Sequence, residues 1–134
     1  MTVLLVDGNN VIGSVPDGWW RDRPAAVRRL VDRLVRYVAA TTDADVHAVF
    51  DVAQADLPEG DHDGVTIHYA TRRGRDAADD RILELLDAGF GDGSGHEAVE
   101  LVTSDRALAD GARARGARVV GAGTLLTRLD DAGC

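Results

Sequence analysis

The sequence contains no lysine, and all fifteen of its basic residues are arginine. A phosphate-binding P-loop needs a lysine after its glycines, so that reading is excluded. Cysteine occurs once, at Cys134. One thiol cannot close an internal disulfide or build a cysteine-rich metal site, and a reducing, cytoplasmic compartment is expected. Aromatic residues are scarce, at 4%. No long apolar run exists. The opening run Val3–Val6 stops at Asp7, too short for a secretory core or a membrane span, so neither a cleaved leader nor membrane insertion is expected. The four histidines, 47, 62, 68 and 96, have no metal-ligand spacing. Ser14 and Ser104 lack the histidine and aspartate pattern of a nucleophilic serine.

What is present is an ordinary globular balance. Of 134 residues, 45% are hydrophobic and 28% charged. One domain spanning 1–134 with a core of its own is expected. Acids outnumber bases by 23 to 15, for a net charge of −8. An acidic total argues against nucleic acid, but the charge is sorted along the chain. Asp43 to Asp63 holds seven acids and no arginine, whereas Trp19 to Arg36 holds six arginines against two aspartates. Arg72, Arg73 and Arg75 form a second basic group. A local basic strip on an acidic body is therefore expected.

Strands and helices alternate. Continuous or β-branched apolar runs predict strands over 3–6, 46–50, 65–69, 98–103 and 117–120. Helical periodicity predicts helices from Asp22-Arg23-Pro24 to Val38, over 77–87 and over 105–115, the last closed by Gly116, with a short helix over 124–129. Asp7-Gly8-Asn9-Asn10 is expected to be a tight turn, 53–63 and 71–76 loops, and Gly89–Gly95 a flexible connection. Such alternation implies an α/β fold with a mostly parallel sheet and helices on both faces.

In such a sheet the carboxyl ends of the strands share one edge, where ligands bind. Asp7 ends the first strand, Asp51 the second, Asp79 opens the helix after the third, and Asp105 follows the fourth. Carboxylates brought together repel. A divalent cation offsets this, and Mg²⁺ or Mn²⁺ prefers oxygen ligands. The pattern points to metal-assisted phosphodiester cleavage with Mg²⁺ or Mn²⁺ held by Asp7, Asp51, Asp79 and Asp105. Asp105 also reads as a helix N-cap. Asn10 is expected to orient a water, a ligand carboxylate or a phosphate, with Ser104 as a helper.

Val6-Asp7-Gly8-Asn9-Asn10-Val11-Ile12-Gly13, Val49-Phe50-Asp51, Ala78-Asp79-Asp80-Arg81-Ile82 and Val102-Thr103-Ser104-Asp105 together resemble the NYN domains, and within them the YacP-like proteins of the PIN-like ribonuclease superfamily. The resemblance runs from Val3 to about Leu126. It implies a three-layer α/β/α fold with a five-stranded sheet in order 3-2-1-4-5. It implies metal-dependent endoribonuclease chemistry, with Asp7, Asp51, Asp79 and Asp105 at the matching acidic positions. Val52 stands where the family usually has glycine, so the loop after the second strand is expected to run differently. Asp80 falls outside the matching position and reads as a helix-cap residue.

Trp19-Trp20-Arg21-Asp22-Arg23 joins the first motif to the first long helix. Aromatics beside arginine can stack bases and pair phosphates. Trp20, Arg21, Arg72, Arg73, Arg75 and Ser104 are the expected RNA-binding residues, with at least one tryptophan expected to pack on the helix instead. Two other readings stand beside the nuclease. One is an RNA- or protein-binding module of the same fold, catalytically weak or inactive. The other, an aspartyl-phosphate hydrolase using Asp7, is disfavoured because Asn9 replaces its acid and no lysine is available. The expected partner is RNA, with a homo-oligomer or a ribonucleoprotein partner left open.

Overall fold

The computed structural model describes residues 2–41, 43–89 and 98–134. Most of the glycine-rich stretch after Gly89, and His96 with it, lies outside the described residues.

Six strands form one sheet in the order β3-β4-β2-β1-β5-β6. They are β1 (Thr2–Asp7), β2 (Ala44–Phe50), β3 (Gly60–His62), β4 (Val65–Tyr69), β5 (Ala98–Val102) and β6 (Arg118–Val120). The five predicted strands run parallel in the implied order. The sixth, β3, is antiparallel to β4 and lies in the segment expected to be loop. Asp63 and Gly64 are the reason. Both have positive φ, 50° and 95°, the geometry of a two-residue hairpin turn that Asp-Gly favours. His62 accordingly lies in a strand rather than a loop.

The helices are α1 (Gly8–Gly13), α2 (Arg23–Ala40), α3 (Ala77–Ala88), α4 (Arg106–Ala114) and α5 (Ala122–Asp131), with a 3₁₀ turn at Trp19–Arg21. Asp22 caps α2 by accepting from the Ala25 N–H at 3.1 Å, and Pro24 lies in its first turn, where a missing N–H costs nothing. Val27, Leu30, Val31 and Leu34 are its buried stripe. Gly116, with φ 85°, follows α4 as expected.

The core lies on both faces of the sheet. Leu4, Val6, Val46, Ala48, Phe50 and Val102 pack with α1, α2 and α5. Leu5, Val49 and Leu101 pack with α3 and α4. This is the three-layer α/β/α arrangement. Burying each side chain of this size contributes about 1.5–3 kcal/mol, so the central strands hold their register firmly. Asp7 pairs in register with Val49, and Val6 with Val102. Asp7, Asp51 and the Thr103–Asp105 segment therefore all emerge at the same edge.

One expected turn is a helix. Residues 8–13 form α1 directly after β1. Gly8 is needed there for space rather than for an unusual φ. A Cβ at this position would stand 2.2 Å from Phe50 Cε1, and Phe50 is fully buried.

Candidate functional site

The carboxyl edge is assembled by short polar ties between neighbouring strand ends. Asn9 Oδ1 accepts from the Asp51 N–H at 2.8 Å, fixing α1 to the end of β2. Asn10 Oδ1 accepts from the Ser104 N–H at 2.8 Å, fixing α1 to the end of β5. Ser104 Oγ in turn accepts from the Ala122 N–H at 3.0 Å, at the start of α5. The two asparagines thus span the edge in both directions. Asn10 has its carbonyl committed, which leaves its NH₂ as the group available to a ligand. Ser104 likewise holds α5 with the oxygen expected to help at the site.

Asp7 is the deepest of the acids, only 4% exposed. Its Oδ2 accepts from the Thr103 hydroxyl at 2.8 Å, and Thr103 Oγ1 also accepts from the Asp105 N–H at 3.1 Å. Burial pushes the Asp7 carboxyl up to about 6, and the negative charges of Asp79 and Asp105 add to the rise, against the Thr103 bond. Asp79, in the first turn of α3, is also raised, by burial first and then by Asp105 and Asp76. Asp105 caps α4 through the Leu108 N–H at 2.8 Å, as its position in the sequence suggested. Asp7, Asp79 and Asp105 are therefore one electrostatically coupled group.

Asp51 stands apart from that group. Its carboxylate meets the Arg23 guanidinium at 3.6 Å, and the charges acting on Asp7 come from Asp79 and Asp105. The four expected carboxylates do not form one group: Asp79 and Asp105 act on Asp7, while Asp51 is paired with Arg23. Among the described residues, no three His, Cys, Asp or Glu side chains could together hold a metal ion. A closed protein cage does not fit. A hard cation that takes one or two carboxylates and keeps its own waters does fit, because burial and the nearby charges of Asp79 and Asp105 disfavour a bare negative charge on Asp7.

A family model for the YacP-like NYN domain matches residues 4–133. The chain belongs to the YacP-like NYN family. It is similar to crystal structures of Rae1 (YacP) from Bacillus subtilis. One, a tryptophan-to-leucine variant, is 26% identical with a TM-score of 0.77, and the match covers 99% of this chain and 77% of that one. The other is 25% identical with a TM-score of 0.76, covering 99% and 76%. No curated protein sequence matches the chain. The NYN family is nuclease-like, and the carboxyl edge carries the acids by which this chain resembles it.

Around the NYN edge the aromatic and basic residues separate into two kinds. Trp19 packs on the core, whereas Trp20 is 59% exposed. Their rings meet edge to face at 6.0 Å. Arg23 lies over Trp19 and Arg21 over Trp20, at 5.7 and 5.8 Å. Arg72 is ion-paired with Asp80, which lies in the first turn of α3, where a negative charge suits the helix dipole. Asp51, Val52, Arg72, Arg73 and Gly74 border an open groove of about 680 Å³ beside the site.

Sequence reasoning missed Thr103 and Arg23. The parallel order places residue 103 beside residue 7, so a buried hydroxyl at that register was the available signal for Thr103. No comparable signal marked Arg23. His47 and His68 lie away from the edge, within β2 and β4. His47 Nδ1 and His68 Nε2 are 2.9 Å apart, and ring centroids 5.1 Å apart at 17° fit a side-by-side N–H···N bond better than face stacking. Burial and the neighbouring His47 and Arg81 push His68 down to about 4. Among the described residues no helix is long and apolar enough to cross a membrane.

Proposed function

We propose that this chain is a metal-dependent endoribonuclease, hydrolysing phosphodiester bonds of single-stranded or structured RNA at the carboxyl edge of its sheet. The observation that carries the reading is the buried Asp7 carboxyl, pushed up to about 6 with Asp79 and Asp105 pressing on it. Such a carboxyl is costly to the fold. A ribonuclease site that takes a cation supplies a use for it.

Asp7, with Asp79 or Asp105, would hold Mg²⁺ or Mn²⁺. When bound, that ion polarises a phosphoryl oxygen and lowers the pKa of an attacking water. The chain's own residues do the rest. Thr103 keeps the Asp7 carboxylate oriented. The Asn10 NH₂, free because its carbonyl is held by Ser104, donates to a non-bridging phosphate oxygen. Asp51, tied to Arg23, lines the approach. The likeness to Rae1 (YacP) from Bacillus subtilis supports the class of site.

The second reading, a catalytically weak binding module, is favoured by one observation: among the described residues no three His, Cys, Asp or Glu side chains are placed to hold an ion together. Incubation with unstructured RNA decides between them. The nuclease reading expects cleavage with Mg²⁺ or Mn²⁺, none with EDTA, and near-background rates for Asp7→Asn and Asp79→Asn. RNA bound but left intact under all these conditions would establish the binding module.

A further inference from the structure

Most arginines of this chain are neutralised by carboxylates, as in Arg28 with Asp56, Arg33 with Asp130 and Arg115 with Asp87. Six arginines have no carboxylate ion pair among the described residues. Arg36, which bonds the Cys134 carbonyl, and Arg118, at the start of β6, lie elsewhere; Arg21, Arg73, Arg75 and Arg106 lie at the carboxyl edge. Arg21 ends the 3₁₀ turn that Arg23 ties to Asp51. Arg73 and Arg75 lie in the loop after β4, and Arg106 is the first residue of α4, next to Asp105. In a chain of net charge −8, leaving these guanidiniums unpaired beside three acids is a pattern that needs a reason.

Arg106 is the most informative of them. A cation in the first turn of a helix opposes the helix dipole, so local stability does not account for it. It lines a groove of about 240 Å³ with Ser104, Asp105, Arg113 and Gly121. This groove is on the β5–β6 side. The groove bordered by Arg73 is on the β2–β4 side. Three interstrand spacings, roughly 14 Å, separate β4 from β5, and the acid cluster lies between. The large apolar side chains left exposed among the described residues are Trp20 and Val52; Val52 follows Asp51, and Trp20 lies in the turn before α2, whose Arg23 pairs with Asp51.

We infer that a single RNA strand crosses the edge, with a base stacked on Trp20 at one flank and a backbone phosphate held by Arg106 at the other. The inference rests on the ribonuclease reading for its substrate, and it removes Arg72, already paired with Asp80, from the gripping residues. A duplex offers Trp20 no free base face, whereas an unpaired strand does.

The test is binding of fluorescently labelled oligouridine to the full chain, followed by anisotropy over a range of salt, with the oligouridine–oligoadenosine duplex in parallel. The single strand is expected to bind more tightly than the duplex. Trp20→Ala is expected to lose about tenfold in affinity, the scale of one base–aromatic stack, with the salt slope unchanged and Trp20→Phe largely restored. Arg106→Ala is expected to lower the slope by about 0.7, one phosphate contact. Arg118→Ala, beside the Glu100–Arg128 pair, is expected to change neither. Wild-type affinity and slope in both edge variants, or equal binding of the duplex, would overturn the inference. Binding with the predicted signature but no cleavage leaves the inference standing and removes the nuclease. Cleavage by a wild type whose edge variants bind unchanged does the reverse.

Discussion

Asp7 shows how one residue can work against the fold that carries it. Its folded carboxyl titrates near 6, above the usual value of 3.8. The folded state therefore holds the proton more tightly than the unfolded state between those values. Stability contributed by the protonated form is full below about pH 4 and is lost as pH rises toward and through 6. A rise of that size corresponds to about 3 kcal/mol at most. In EDTA, urea unfolding is expected to show the stability of the wild type falling relative to Asp7→Asn across that window, so that Asp7→Asn is the more stable at pH 7. A difference between the two proteins that stays constant across the window, or that grows in favour of the wild type, would contradict the burial argument. Asp7 was legible in the sequence because it ends an apolar run. Thr103 was not, because its importance comes from a register partner 96 positions away.

At the scale of elements, the edge depends on α1 being seated against β2. Phe50 packs where any Cβ on Gly8 would stand. Gly8→Ala is expected to destabilise by about 1–3 kcal/mol through overpacking. Adding Phe50→Leu is expected to recover part of that loss, because the two positions share one space; additive losses in denaturant melts would place the clash elsewhere. Ser104→Ala removes the acceptor at the start of α5, with an expected cost of about 1 kcal/mol in the same melts. Periodicity in the sequence located the long helices and the five parallel strands. It could not reveal α1, whose six residues carry too little pattern to separate a helix from a turn. The β3–β4 hairpin was written in Asp63-Gly64, but acids and a proline before it gave that stretch the composition of a loop.

Across the whole molecule, strand order converts separated aspartates into neighbours. That much followed from alternation and from the resemblance to the YacP-like proteins. The division of labour among the acids did not, because side-chain partners decide it: Arg23 draws Asp51 aside, while Asp79 and Asp105 remain with Asp7. The central claim is that this crowding of negative charge is relieved by a divalent cation. Thermal unfolding during Mn²⁺ titration tests it most directly, since a ligand bound only by the folded state raises the midpoint with its concentration. The account predicts a concentration-dependent rise in wild type that Asp79→Asn largely abolishes. No rise in wild type, or the same rise in both proteins, would contradict it.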